Sequence, residues 1–168
     1  SKAMHTKMST YITIDVQLEG KVAHLWLNRP ERHNALNLEL MREVVHFFKT
    51  VEADSQVQTV VLRGRSASFC AGADLNWMKQ SAALSEADNL AESEELSHFF
   101  ATVYRSSKLV VSLVHGNCFG GGVGLAAASD LVFTTIDARF SLSEAKLGLA
   151  AASITPYLLK RISPSVLK

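Results

Sequence analysis

The sequence predicts an α/β domain built on a largely parallel sheet. Three observations carry that expectation. Apolar runs of strand length recur along the chain, stretches with helical spacing of apolar residues separate them, and turns of small residues follow the runs. With 168 residues, 48% of them hydrophobic and 20% charged, there is enough apolar material for one domain with a buried core.

Tyr11-Ile12-Thr13-Ile14-Asp15-Val16 alternates apolar and polar, and Val22 to Leu27 does so again across Glu19-Gly20, so a hairpin opens the fold. After Asn28-Arg29-Pro30, Asn37 is placed to cap a helix whose apolar face is Leu38, Met41, Val44, Val45, Phe48 and Val51. Val57 to Arg63 reads as a buried strand ending at Gly64, and a polar loop then carries Phe69-Cys70-Ala71-Gly72-Ala73-Asp74-Leu75. Asp74 precedes a helical run, which makes it a cap rather than a catalyst. Glu86 to Arg105 reads as a surface helix with Leu90, Leu96, Phe99, Phe100 and Val103 on its apolar side. Leu109 to Val114 and Leu131 to Thr135 complete the strands.

Between those last two strands lies His115-Gly116-Asn117-Cys118-Phe119-Gly120-Gly121-Gly122-Val123-Gly124, with a helix reading from Leu125. Strand, glycine turn and helix together point bare backbone N–H groups at a ligand. A ligand atom can approach where there is no Cβ, and the helix N-terminus adds partial positive charge. Such a turn holds a phosphate or a developing oxyanion. A weak internal echo supports this: Val60-Val61-Leu62-Arg63-Gly64 leads to the Ala-Gly-Ala-Asp loop much as Val111-Ser112-Leu113-Val114-His115-Gly116 leads to the triple glycine. Two such turns could each supply one N–H to a single oxygen.

The bulk numbers restrict partners. A formal net charge of +1 gives no reason to expect nucleic acid or an acidic membrane. No stretch is apolar for long enough to span a bilayer and no signal-peptide pattern is visible, so a cytoplasmic, reduced compartment is expected. Cys70 and Cys118 are too few for a disulfide framework and sit in no metal-ligand cluster, so both read as small buried packing residues and no metal is expected. Ser1 to Lys7 read as a remnant ahead of a natural start at Met8.

Taken together, several segments resemble the crotonase, or enoyl-CoA hydratase/isomerase, superfamily. They are Leu27-Asn28-Arg29-Pro30 with Asn34-Ala35-Leu36, Phe69 to Leu75, Gly116 to Gly124, Ser129-Asp130-Leu131 and Phe140 to Leu149, in that order. The resemblance implies a ββα spiral over residues 8–168, with the family's C-terminal helical part missing and the chain a fragment of weak or no turnover by itself. It also implies assembly as trimers or paired trimers in the full-length form. It implies no permanently bound cofactor, with coenzyme A entering as part of an acyl-CoA substrate.

In that family a thioester becomes an enolate, and each preset oxyanion donor is worth roughly 3–4 kcal/mol of barrier. By position, the resemblance makes the N–H groups of Ala73 and Gly121 those donors. Ala71 and Leu75 then lie beside the coenzyme A adenine, while Arg29 and Arg32 either reach its phosphates or are solvated arginines beside Pro30. Gly124 occupies a position where two-carboxylate members carry a glutamate, and glycine transfers no proton. The second glutamate position is filled by Glu144, which the resemblance makes the acid and base; spacing alone reads it as an exposed glutamate before Lys146.

Phe119 to Leu125, Leu142-Ser143-Glu144 and Ile154-Thr155-Pro156-Tyr157 resemble a bacterial hydratase branch acting on 3-methylglutaconyl-CoA or isohexenylglutaconyl-CoA, in leucine or terpene breakdown. Ser143 and Ser153 are candidates for a second substrate carboxylate, although both also read as surface or capping residues. His24 and His98 read as surface histidines and His115 as packing or hydrogen-bonding; Trp77-Met78 shape either the acyl tunnel or the core. Three functions follow: a hydratase, a double-bond isomerase working with Glu144 alone, or a non-catalytic acyl-CoA-binding module.

Overall fold

The computed structural model describes residues 10–142 and 148–161. β1 (Ile14–Glu19) and β2 (Val22–Leu27) form the opening hairpin, with Ile14 opposite Leu27 and Glu19 opposite Val22. A 3-10 turn over Pro30–Arg32 leads to α1 (Leu38–Glu52), where the Asn37 side chain accepts from the Leu40 amide at 2.9 Å. β3 (Thr59–Gly64) is followed by α2 (Leu75–Ala82) and α3 (Glu86–Tyr104), the latter capped by Ser85. β4 (Leu109–Val114) and the short β5 (Asn117–Phe119) lead into α4 (Gly121–Ala128). β6 (Leu131–Thr134), β7 (Arg139–Ser141) and α5 (Gly148–Leu159) follow.

The main sheet has the order β1-β2-β3-β4-β6. Only the opening hairpin is antiparallel; β2, β3, β4 and β6 run parallel, Val60 lying opposite Ala23 on one side and Val110 on the other. A second layer is made of much shorter pieces. β5 pairs in parallel with β7, and isolated parallel bridges join Cys70 to Cys118 and Leu36 to Ala73. Each parallel strand of the main sheet is therefore followed by an extended piece of this second layer and then by helix. That is the ββα spiral that the family resemblance implies.

The core lies between the sheet and the helices. Phe47, Phe48, Phe99 and Phe100 are each 0% exposed, and the pairs Phe47–Phe48 and Phe99–Phe100 meet edge to face at 5.4 and 5.0 Å. The second half of α3 is thus a core element that packs on α1, α4 and α5, while its first half is a surface helix. Leu90, expected on the apolar face, is 61% exposed. The buried Ser112 and Ser129 hydroxyls meet at 2.7 Å, and the exposed Asp130 ties the start of β4 by accepting from the Val110 amide at 2.8 Å.

Three boundaries differ from the expectation. β1 begins at Ile14 rather than Tyr11, because the amides of Ile12 and Thr13 are taken by the Glu43 carboxylate on α1 instead of by a strand. β3 begins at Thr59 because Val57 still closes a turn onto the Asp54 carbonyl at 3.2 Å. α4 begins at Gly121, as the family resemblance implies, rather than at Leu125, where the residues alone place it, so Gly121, Gly122 and Gly124 are helical. Among the described residues no helix is long and apolar enough to cross a membrane, and no cluster of His, Cys, Asp and Glu could hold a metal ion.

The division of α3 can be tested in urea unfolding. Phe99→Ala is expected to lower stability by about 3–5 kcal/mol, whereas Leu90→Ala changes it by no more than about 0.5 kcal/mol.

Candidate active site

The two turns that echo one another in sequence lie side by side. The Cys70 amide donates to the Asn117 carbonyl at 3.1 Å and the Phe119 amide donates to the Cys70 carbonyl at 2.9 Å. A Cβ on Gly122 would fall 2.6 Å from that same Cys70 oxygen, so no residue but glycine lets the turns come this close. Downstream of Cys70, Leu36 zips onto the chain: its amide donates to the Gly72 carbonyl at 2.7 Å and its carbonyl accepts from the Asp74 amide at 2.8 Å. Ala73 is held between those two bonds. Gly121 opens α4, whose first amides have no acceptor within the helix and sit at the positive end of its dipole. Ala73 and Gly121 line one cavity of about 300 Å³, with Leu36, Trp77, Leu96 and Phe100 on its walls.

The same packing accounts for Gly124. A Cβ there would lie 2.7 Å from Phe100 Cε1 and 2.7 Å from Ile154 Cγ1. An aromatic ring and a branched aliphatic chain occupy the space a glutamate would need.

Behind the cavity is a polar brace. The Asp74 carboxylate caps α2 by accepting from the amides of Asn76 at 2.9 Å and Trp77 at 3.0 Å, and it pairs with the Arg29 guanidinium at 3.0 Å. Burial opposes its ionisation, but the Trp77 amide, Arg29 and the Asn76 amide together outweigh burial and hold Asp74 below the usual carboxylate range. Arg29 also donates to the Ala35 carbonyl. Asn34 is 0% exposed with φ +57, accepts from the Arg29 amide at 2.8 Å and donates to the carbonyls of Arg65 at 2.9 Å and Ser68 at 2.8 Å. Asp74 as a cap is what the sequence predicts; Asn34 as the hub beneath it is not legible there, since its partners are distant in sequence.

The other expected residues fall as follows. The Ala71 amide donates to the His33 carbonyl at 3.0 Å, Leu75 is 70% exposed, and Arg32 is exposed on the 3-10 turn. Arg29, considered beside Arg32 for a phosphate, instead spends its guanidinium on the brace. Glu144 and Ser143 lie outside the described residues. Ser153 meets the Ser97 hydroxyl at 3.3 Å. His24 pairs with Glu19 at 3.2 Å, His98 is exposed, and His115 Nε2 donates to the Ser66 carbonyl at 2.6 Å. Both cysteines are buried as thiols, and burial together with the neighbouring Cys70 pushes the Cys118 thiol far up, away from any nucleophilic form. Trp77 lines the cavity, and its indole N–H donates to Glu92 Oε2 at 3.0 Å, which also accepts from the Ser81 hydroxyl. Glu92 reads in sequence as part of the charged outer side of α3, and nothing local marks its contact with α2.

Comparison with known proteins gives this geometry its context. Residues 17–167 match the family model described as enoyl-CoA hydratase/isomerase. The chain is 36% identical over 150 residues to the mitochondrial Δ(3,5)-Δ(2,4)-dienoyl-CoA isomerase of Mus musculus, covering 84% of this chain and 46% of that one. It is 34% identical over 146 residues to an enoyl-CoA hydratase of Alternaria alternata, covering 87% and 47%. The crystal structure of an enoyl-CoA hydratase from Shewanella pealeana superposes with a TM-score of 0.84 at 35% identity, covering 88% of this chain and 56% of that one. The chain thus spans about half the length of these relatives.

Two outcomes follow from the packing and the brace. Gly124→Glu is expected to lower stability by at least about 2 kcal/mol in urea unfolding, because the side chain must displace Phe100 and Ile154. Asp74 has its folded pKa depressed, so its contribution is complete above the unfolded value of about 3.9 and is lost as pH falls through the folded one. The gap in unfolding midpoint between the native chain and Asp74→Asn is therefore expected to be constant near neutrality and to shrink below about pH 4.

Proposed function

The chain belongs to the enoyl-CoA hydratase/isomerase family, and from that premise we propose that the protein adds water reversibly to a 2-enoyl-CoA thioester. The observation behind this reading is that Ala73 and Gly121 line the same largely apolar cavity, Ala73 in a bridged extended segment and Gly121 at a helix N-terminus. A thioester oxygen between their N–H groups would have its enolate charge met by preset dipoles in a largely apolar site. Low dielectric there raises the worth of both donors.

Glu144 is the proton carrier in this proposal, on the strength of the family resemblance. Water attacks the β-carbon as Glu144 takes one of its protons, and the thioester oxygen carries the charge. Glu144 then returns that proton to the α-carbon, which adds water across the double bond and restores the carboxylate. Coenzyme A would run past Ala71 and the exposed Leu75, with Arg32 available to its phosphates. The acyl group proposed is branched and carries a second carboxylate, as in 3-methylglutaconyl-CoA or isohexenylglutaconyl-CoA, which the resemblance of the Phe119 to Leu125 turn favours. Trimeric assembly belongs to the same proposal, and the exposed Leu131, Phe133, Phe140 and Leu142 on and beside β6 and β7 offer an apolar surface for it. So does a cytoplasmic location.

A second reading has its own observation. Gly124 leaves the site with a single expected carboxylate, and one carboxylate suffices to carry a proton between two acyl carbons, the chemistry of an enoyl-CoA isomerase. The absorbance of the conjugated thioester separates the readings in the full-length protein. Loss of absorbance on a 2-enoyl-CoA establishes hydration, a rise on a 3-enoyl-CoA establishes isomerisation, and silence on both makes an acyl-CoA-binding module the reading to pursue. Under the leading reading, Glu144→Gln lowers kcat by roughly 10²–10⁴-fold while coenzyme A binding survives; unchanged turnover removes Glu144 from the mechanism.

A further inference from the structure

The proposed reaction leaves one polar feature of the cavity unused. Among the described residues that line it, Glu92 is the only charged one; the polar Ser81, Asn89 and Ser93 lie on the wall with it, and Leu36, Leu96, Phe100 and Ile154 are apolar. Glu92 sits two helical turns before Phe100 on α3, about 12 Å along the axis, and the Phe100 ring lies against Gly121. On the opposite wall its partner Ser81 is at the far end of α2 from Ala73. Both helices therefore put the carboxylate at the end of the cavity remote from the two amides.

Its hydrogen bonds are lopsided. Oε2 takes the Trp77 indole N–H at 3.0 Å and the Ser81 hydroxyl, so the side chain is pinned by two donors on α2. Among the described residues no donor reaches Oε1. The walls there are mixed, with Ser81, Asn89 and Ser93 beside Glu92, and the Arg42 guanidinium acts on the carboxylate from the protein side. A free carboxylate oxygen facing the cavity is stabilised by a donor and repels an anion.

We infer that Glu92 is a specificity-determining residue whose carboxylate accepts a hydrogen bond from an O–H group near the far end of the acyl chain. That O–H is either a hydroxyl or the un-ionised form of a second carboxyl. The inference rests on reading the cavity as an acyl-thioester site, and it adds to that reading the functional group the distal end selects. No covalent step is involved, and Glu92 is remote from the reacting carbons.

Isothermal titration of the full-length protein with three saturated acyl-CoA thioesters of equal length, ending in methyl, hydroxyl or carboxyl, tests this without any need for turnover. The hydroxyl thioester should bind about tenfold or more tightly than the methyl one at about pH 7, the gain of a hydrogen bond to a charged acceptor. The carboxyl thioester, ionised at that pH, should gain up to about tenfold per unit relative to the methyl one as the pH falls toward about 5 if its un-ionised form is the ligand; no such rise identifies the hydroxyl. Glu92→Gln, whose oxygen still accepts from Trp77 and Ser81, replaces the free acceptor by a neutral N–H donor. It should cut the preference for the hydroxyl thioester severalfold and abolish any gain of the carboxyl thioester at lower pH. Equal binding of all three thioesters overturns the inference, as does a uniform loss across all three in Glu92→Gln, which is the mark of a mere tie between α2 and α3. Failure of every thioester to bind overturns the acyl-CoA reading itself.

Discussion

The close approach of the Cys70 carbonyl to the first turn of α4 is the constraint on which the site depends. Cys70 and Gly122 come from different turns of the spiral, and a Cβ on Gly122 would sit 2.6 Å from the carbonyl oxygen. With the Cβ absent, the bridge from Cys70 to Cys118 forms, and it carries the segment after β3 alongside the segment after β4. Ala73 is three residues past one half of that bridge and Gly121 three past the other. Their shared cavity is a consequence of strand pairing in the second layer, where backbone geometry leaves little freedom.

What fixes the second layer from below is polar and buried. Asn34, Arg29 and Asp74 form a continuous set of hydrogen bonds from the 3-10 turn to the start of α2. Each is expensive to bury alone, and each is satisfied by the others. An apolar substitute would pack there, but it would set neither the left-handed Asn34 nor the angle at which α2 leaves Ala73. The brace also explains why an arginine next to a ligand loop has its guanidinium turned inward.

Periodicity made the main sheet and the helices legible in the sequence, because Leu38 to Val51 and Leu109 to Val114 carry clear helical and buried-strand signals over enough residues. The second layer was not legible. β5 and β7 have three residues each and the other pairings are single bridges, too short for alternation to register. Glycines at 121, 122 and 124 hid the start of α4, since their poor intrinsic helicity is outweighed by the contacts they permit. Of the site, the Asp74 cap and the paired turns could be read locally. Asn34 as a hub and Glu92 as a cavity residue could not, because each is defined by partners that only the tertiary fold brings near.

The filling of position 124 has a chemical consequence as well as a structural one. Phe100 and Ile154 occupy the ground beside the first turn of α4, so no carboxylate there competes with a ligand oxygen for the Gly121 amide or opposes the charge an enolate develops. Apolar neighbours also keep the local dielectric low, which strengthens the helix dipole at the point where it is aimed. Under the proposed function the cost is one proton-transfer group, and proton movement would fall to a single carboxylate while the two amides stabilise the oxyanion.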